Sequence, residues 1–101
     1  EACTIDAPLV SDSEAKNLLS ELDGWIIESV SGIDQLVKTY KFSNYGESLE
    51  FSNKVADLAE SEDHHPRIVL EYGSVEVSWW SHKIKGLHKN DFICAAKTDL
   101  I

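Results

Sequence analysis

Two predicted β-hairpins, each preceded by a predicted helix, constrain the fold of this chain more than any other feature of its sequence. Four segments rich in β-branched and aromatic residues are bounded by turn residues, and they span residues 25–30, 35–42, 68–72 and 75–81. The turn sequence Ser31-Gly32-Ile33-Asp34 joins the first pair, and Gly73-Ser74 joins the second. Strands joined this closely pair antiparallel, so the sequence predicts a four-stranded antiparallel sheet.

Three segments with a helical period surround the hairpins. Residues 11–24 begin with the capping-box sequence Ser11-Asp12-Ser13-Glu14, continue with leucines at helical spacing and end at Gly24. Residues 44–61 and 89–100 have the same character. The order α-β-β-α-β-β-α predicts an α+β fold, with one four-stranded antiparallel sheet and three helices packed on one face.

Length, charge and cysteine content narrow the class of protein. The 101 residues suit one domain, residues 11–101, preceded by an arm of residues 1–10 that has no periodicity. A formal net charge of −9 without a Lys/Arg cluster argues against direct nucleic-acid binding, and no apolar run approaches the roughly twenty residues of a membrane span. Cys3 and Cys94 form no convincing disulfide framework, so a cytoplasmic location is expected. A start at Glu1 also allows an organellar location, if an N-terminal segment was removed.

The residues that carry chemistry gather where the second predicted helix ends. His64-His65-Pro66 follows Glu60 and Asp63, and His82 follows the last predicted strand. Histidine gives and takes protons near neutral pH, because its unperturbed pKa is roughly 6.5. Proline disfavours helical geometry at the residue before it, so the helix is expected to end here and the two adjacent histidines to diverge. We expect His64 and His82 at the rim of a pocket.

Alternation along the last predicted strand divides its side chains between the two faces of the sheet. Val75, Val77 and Trp79 share one face and are expected beneath the helices. Trp80 and His82 belong to the opposite face, which makes an exposed Trp80 a candidate for stacking on a planar ligand. The strand is also expected at a sheet edge, with part of its apolar surface buried against a second copy of the chain.

Two other interpretations of the histidines stay open at this point. In the first, the histidines lie in solvent at the end of a helix, where the helix dipole favours cationic groups. In the second, they belong to a metal site built from Asp63, His64, His65, His82 and His88. Against a metal, the sequence has no HExxH or Cys-x-x-Cys pattern, and adjacent diverging histidines rarely bind one ion.

The full pattern resembles the pterin-4a-carbinolamine dehydratases. It consists of Glu60-x-x-Asp63-His64-His65-Pro66, then Ser81-His82, then Gly86-Leu87-x-x-x-Asp91. The likeness covers residues from about 11 to 101 and includes Gly24-Trp25 and Tyr40-Lys41-Phe42. It implies an enzyme that removes water from 4a-hydroxytetrahydropterin, giving quinonoid dihydropterin, and so regenerates the pterin cofactor after aromatic amino acid hydroxylation.

The resemblance also implies which residues form the site. The catalytic residues would be His64, His65 and His82, and we expect contacts to the pterin from Glu60, Asp63, Pro66, Trp80 and Asp91. A homodimer or homotetramer is implied, with no metal and no other cofactor. The imidazoles suit the reaction, because hydroxide leaves only when a general acid protonates it and N5 of the pterin must give its proton to a base. Asp63 or Glu60 is expected to orient one imidazole, and acid and base stay unassigned among the histidines.

Two positions depart from the family pattern. His88 stands where a Ser or Thr usually caps the last helix, and Asn90 stands where animal members often have Arg. Loss of that cation would weaken substrate holding or an oligomer contact, so the alternative is a non-enzymatic binding or assembly role on the same fold. Some relatives are dimerisation cofactors of a homeodomain transcription factor, and some assist Rubisco assembly after losing the catalytic histidines. All three histidines persist here, which favours the enzyme.

Overall fold

The computed structural model describes residues 10–81 and 86–101, and within them the predicted order of helices and strands is confirmed. The elements are α1 (Asp12–Leu19), β1 (Ile26–Val30), β2 (Ile33–Lys41), α2 (Tyr45–Glu62), β3 (Arg67–Glu71), β4 (Ser74–Trp79) and α3 (Lys89–Asp99). The strands form one antiparallel sheet with the helices on one face, and the fold is α+β as predicted. No helix in these two ranges is long and apolar enough to cross a membrane.

The strand order is β1-β2-β4-β3, which places β4 in the interior of the sheet. Leu36 on β2 pairs with Trp79, and Ile68 on β3 pairs with Val77. The expectation of an edge position for this strand is therefore wrong, because its apolar residues are covered by strands and helices of the same chain. The edges of the sheet are β1 and β3.

The first hairpin turns more tightly than predicted. Ser31 and Gly32 have φ angles of 54° and 80°, and Val30 pairs directly with Ile33. Two consecutive residues with positive φ form a type I′ turn, whose twist matches that of the flanking strands. The predicted four-residue turn is therefore wrong, and β2 begins two positions earlier than expected.

The first helix is shorter than predicted. Ser11 caps it by accepting a hydrogen bond from the Glu14 backbone N–H at 3.2 Å, but the helix ends at Leu19 rather than at Gly24. Gly24 has a φ of 81°, and a Cβ there would lie 3.1 Å from Cε of Lys38. The glycine therefore makes room for Lys38, whose Nζ donates to the carbonyl oxygen of Asp23 at 2.7 Å.

The core lies between the helices and one face of the sheet. Val75, Val77 and Trp79 are fully buried on that face, which confirms the predicted alternation. The helices contribute several buried residues to the same cluster, among them Phe51, Val55 and Ala59 from α2 and Phe92, Cys94 and Ala95 from α3. Burial of these side chains holds the helices on the sheet and brings the end of α2 against the end of β4.

Candidate active site

A residue in left-handed conformation ends α2 and separates the two adjacent histidines. Asp63 has φ 50° and ψ 42°, a conformation that aspartate tolerates better than most residues. The backbone N–H of His64 still donates to the last turn, at the carbonyl oxygen of Ala59, at 3.1 Å. Beyond this point His64 is buried whereas His65 is exposed. The predicted helix end and the predicted divergence of the two histidines are confirmed.

His64 lies in the core. It is only 3% exposed, so the expectation of a position at a pocket rim is wrong. Its Nε2 lies 2.5 Å from Oδ1 of Asp91, and its ring stacks on the indole of Trp79 with an angle of 8° between the planes. The carboxylate on this imidazole is therefore Asp91 rather than Glu60 or Asp63.

The Asp91 carboxylate joins three parts of the chain. Besides His64, it accepts a hydrogen bond from Oγ of Ser81 at 2.8 Å and from the backbone N–H of His88 at 2.8 Å, both on Oδ2. The carboxylate is fully buried, so these donors replace the water that would otherwise solvate it. An acceptor-only carboxylate favours the tautomer of its histidine in which Nε2 carries the proton, and the lone pair then lies on Nδ1.

His65 has a different partner and a different environment. Its Nε2 lies 2.8 Å from Oε1 of Glu60, and the two side chains are 55% and 79% exposed. Glu60 thus orients one imidazole, as predicted. Asp63 is exposed and contributes its backbone conformation to the helix end, and Pro66 is half-buried.

Trp80 directly follows the last residue of β4. Trp80 is half-buried and packs against the core cluster, so the expected exposed platform is wrong. The strand ends at Trp79, and the alternation that would place Trp80 on the open face ends with it. His82 lies outside the described residues, so the structure describes two of the three predicted catalytic histidines.

The Cys94 thiol, on α3, is less reactive than an ordinary cysteine thiol. Burial raises the pKa of the Cys94 thiol to about 12, and the charges of Glu62 and Asp91 add to this effect.

The described residues contain no cluster of three or more His, Cys, Asp or Glu side chains that could hold a metal ion. A cavity of about 460 Å³ lies between α1, the first hairpin and Gly86-Leu87, and its lining contains neither His64 nor His65.

Comparison with known proteins places the chain in a family. Residues 8–101 match the family model described as Pterin 4 alpha carbinolamine dehydratase. The chain belongs to this family. A relative from Vibrio vulnificus strain YJ016, provisionally named pterin-4-alpha-carbinolamine dehydratase, is 58% identical over 101 residues, which cover 100% of this chain and 92% of the relative. A relative from Saccharophagus degradans with the same provisional name is 58% identical over 99 residues, covering 98% of this chain and 88% of the relative.

Solved structures share the fold of this pterin-4a-carbinolamine dehydratase family member. A Brucella melitensis protein described as a transcriptional coactivator/pterin dehydratase has a TM-score of 0.82 and 29% identity, over 92% of this chain and 97% of that one. A pterin dehydratase-like protein described as a RuBisCO assembly factor in the α-carboxysome has a TM-score of 0.64 and 20% identity, over 76% of this chain and 87% of that one. At that identity the second likeness shows the fold alone.

The two departures from the dehydratase pattern have different consequences in the structure. His88 keeps the capping box, because its Nδ1 accepts from the backbone N–H of Asn90 at 3.2 Å while Asp91 accepts from the His88 N–H. Asn90 is fully buried, and its amide oxygen and nitrogen have no hydrogen-bond partner within residues 10–81 and 86–101. A buried, neutral side chain thus occupies the position at which animal members of the family often have Arg.

Sequence reasoning assigned no site role to Ser81 or Trp79. Ser81 was noted only as the neighbour of His82, although alternation along the predicted strand of residues 75–81 puts it on the same face as Trp79. Since that face packs against the helices, alternation could have placed the Ser81 hydroxyl near the start of α3. The stacking of Trp79 on His64 has no such signal, because it depends on how α2 ends.

Proposed function

We propose that this chain dehydrates 4a-hydroxytetrahydropterin to quinonoid dihydropterin by histidine acid–base catalysis. Family membership supports the reaction class. The observation that carries the proposal is the buried His64–Asp91 pair, with 2.5 Å between Nε2 and Oδ1. A carboxylate that holds one imidazole nitrogen and leaves the other for substrate is the arrangement by which enzymes prepare a histidine for proton transfer.

The reaction needs one proton donor and one proton acceptor. The C4a–O bond breaks as an acid protonates the departing oxygen, which leaves as water. The lone pair of N5 forms the new N5–C4a double bond, and the N5 proton passes to a base. A well-placed acid or base contributes roughly 10²- to 10⁴-fold to such a step.

The described histidines suit the two tasks for different reasons. His64 is proposed to exchange protons through Nδ1, because Asp91 holds Nε2. His65 exchanges protons at the surface beside Glu60. We include His82 as the third catalytic group because the family pattern of the sequence contains it. The pH dependence of kcat in the single-histidine variants would show which histidine is the acid and which is the base.

Substrate contacts are proposed for residues around these histidines. Glu60, Asp63, Pro66 and Trp80 lie on the chain beside the catalytic groups and are proposed to border the pterin. Asp91 is fully buried and holds three hydrogen bonds. We therefore propose that Asp91 positions His64 rather than contacting the pterin itself.

The proposed reaction can be followed directly with synthetic 4a-hydroxytetrahydropterin. The appearance of quinonoid dihydropterin, recorded in the ultraviolet, should be much faster with the protein than without it. His64→Gln should return the rate towards the spontaneous one, whereas Glu50→Gln, a change in an exposed ion pair on α2, should leave it unchanged. A wild-type rate equal to the spontaneous rate would contradict the proposal. Loss of activity with a chelator and recovery with zinc would contradict catalysis by histidines alone.

We further propose a homodimer or homotetramer in the cytoplasm that recycles pterin after aromatic amino acid hydroxylation. The two strand edges support self-association, since unpaired backbone groups of β1 and β3 can pair with those of another copy. The alternative is a binding or assembly role on the same fold. It is supported by the Brucella melitensis structure, whose description combines coactivator and dehydratase. An inactive protein with an intact fold would favour this alternative.

A further inference from the structure

We propose that Trp79 is a positioning residue for His64, holding its imidazole by parallel stacking in the orientation that proton transfer requires. The inference rests on the function proposed above and concerns a residue outside the histidine motif. Asp91 holds Nε2 of the ring through a 2.5 Å contact, but one hydrogen bond does not by itself set the plane of the ring. A second restraint is needed to fix Nδ1.

The indole of Trp79 supplies that restraint. Its plane lies 8° from that of the imidazole, and the ring centroids are 5.5 Å apart, which is the geometry of offset stacking. Rotation of His64 about its bond to Asp91 would drive the imidazole edge into the indole. The hydrogen bond and the stack together therefore leave the ring one orientation.

Trp79 is in turn fixed by α3. Its Nε1–H donates to Oγ1 of Thr98 at 3.1 Å, and the Thr98 hydroxyl donates to the carbonyl oxygen of Cys94 at 2.7 Å. Because the hydroxyl proton is committed to the carbonyl, a lone pair of Oγ1 is available to the indole. Trp79 is fully buried, so the indole cannot leave His64 without opening the core.

The restraint depends on an aromatic ring at position 79. An aliphatic residue at position 79 would fill only part of the space and would supply no flat ring parallel to the imidazole. Phenylalanine would keep an aromatic ring but would lose the hydrogen bond to Thr98 and some of the ring volume.

Steady-state kinetics of three variants test the role of Trp79. We expect Trp79→Leu to lower kcat about tenfold while KM changes less than about twofold, and Trp79→Phe to keep kcat within about threefold of wild type. Trp25→Leu is the matched control, since Trp25 is also buried and its Nε1–H also binds α3, at Asp99, but its ring packs on Tyr40. The control should keep its kcat. Should Trp79→Leu not fold, Trp79→Met replaces it, because the unbranched methionine side chain adapts better to an irregular cavity.

Equal losses of kcat in Trp79→Leu and Trp25→Leu would attribute the effect to packing in general and overturn the inference. Wild-type kcat in Trp79→Leu would overturn it as well. An equal loss of kcat in Trp79→Phe and Trp79→Leu would show that kcat does not depend on an aromatic ring at position 79. That outcome would also overturn the inference.

Nuclear magnetic resonance of protein with labelled histidines tests the contact without any assay of activity. The His64 ring signals are those that disappear in His64→Gln. They should be shifted upfield by the indole ring current in wild type and should lose that shift in Trp79→Leu. A wild-type protein that is active but lacks the shift overturns this inference alone. A wild-type protein that has the shift but no dehydratase activity overturns the proposed function and leaves the contact between Trp79 and His64 established.

Discussion

The backbone conformation of Asp63 places His64 and His65 in different environments. Its left-handed backbone conformation turns the chain at the end of α2, so that one imidazole enters the core and the next remains in water. His64 meets a buried carboxylate, whereas His65 meets an exposed one. Two side chains of the same type, adjacent in sequence, therefore differ in polarity of surroundings, which suits a reaction that needs both a proton donor and a proton acceptor.

We predict that His64→Ala and His65→Ala both lower kcat, by roughly 10²- to 10⁴-fold each, but that they differ in stability. Removing His64 leaves the buried Asp91 carboxylate short of a donor and opens a cavity beside Trp79, at a cost of about 3 kcal/mol in the free energy of unfolding. The exposed pair of His65 with Glu60 contributes about 1 kcal/mol or less. Urea unfolding of the two variants measures the difference, and equal stabilities would contradict the burial of His64.

The sequence predicted which residues belong to the site better than it predicted their partners. Glu60 and His65 are five positions apart at a helix end, so their proximity follows from local geometry. His64 and Asp91 are 27 positions apart, and their contact exists only once α3 has packed beside the end of α2. Proximity in sequence therefore pointed to Asp63 and Glu60 as partners of the imidazoles, and only the latter is one.

Among the helices, α3 is held to the rest of the chain by a carboxylate near each end. Asp91 in the first turn binds His64 and Ser81, and Asp99 in the last turn binds side chains from the sheet side of the core. Asp99 accepts from Trp25 Nε1 at 3.0 Å, from Lys38 Nζ at 2.8 Å and from the Tyr40 hydroxyl. The helix that orients the proposed catalytic histidine is thus anchored at its far end as well.

The Asp99 anchor gives the protein a predicted sensitivity to acid. Burial by itself would raise the pKa of Asp99, but the hydrogen bonds from Lys38, Tyr40 and Trp25 outweigh it and lower the pKa below its usual range. Since the folded pKa lies below the unfolded one, the anchor stabilises the fold fully above about pH 4 and is lost as the pH falls through the folded pKa. We expect Asp99→Asn to lower the free energy of unfolding at pH 7 by about 1–2 kcal/mol, and this deficit to shrink in acid.

The measurement for Asp99→Asn is urea unfolding at a series of pH values. Glu50→Gln is the matched control, because it removes a carboxylate from a highly exposed i, i+4 pair with Lys54 and should change stability very little. A deficit for Asp99→Asn that stays constant from pH 7 to below about pH 3 would contradict the role of the ionised carboxylate.

The elements of the fold could be predicted from local sequence, but their neighbours in the sheet could not. Helical spacing and β-branched runs depend on a few adjacent residues, and all helices and strands in the described ranges were predicted. The order β1-β2-β4-β3 depends on which strand gains most from lying between two others, and the apolar residues of β4 were predicted at an edge of the sheet. The Ser31-Gly32 turn was missed because Ser31 takes a positive φ that serine seldom adopts.

For the protein as a whole, the unpaired edges of the sheet are the surfaces most suited to self-association. β3 carries exposed charges at both ends, Arg67 and Glu71, which discourage pairing. β1 has one exposed charge, Glu28, and it exposes two aliphatic side chains on the same face, Ile26 at 55% and Val30 at 42%. The β1 edge is therefore the less protected of the two.

We predict a sedimentation mass of two or four times the 11.3 kDa of one chain at micromolar concentration. Ile26→Lys should shift the protein towards the single-chain mass if the β1 edge forms the contact. Tyr72→Lys changes an even more exposed residue, at 73%, in the turn between β3 and β4, and should leave the mass unaltered. A mass near 11.3 kDa for wild type at every concentration would contradict self-association.

Because Cys94 is buried, its alkylation can report the undocking of α3 from the sheet. With its pKa raised to about 12 by burial, the thiol is almost entirely protonated near pH 8, and no reagent reaches it while the helix stays in place. In a Cys3→Ser background, the rate of alkylation by iodoacetamide should therefore increase with the fraction of molecules in which α3 has left the sheet. That rate should rise in His64→Ala and in Asp99→Asn, each of which frees one end of the helix. The thiol would then reveal openings too brief and too rare to change the average structure.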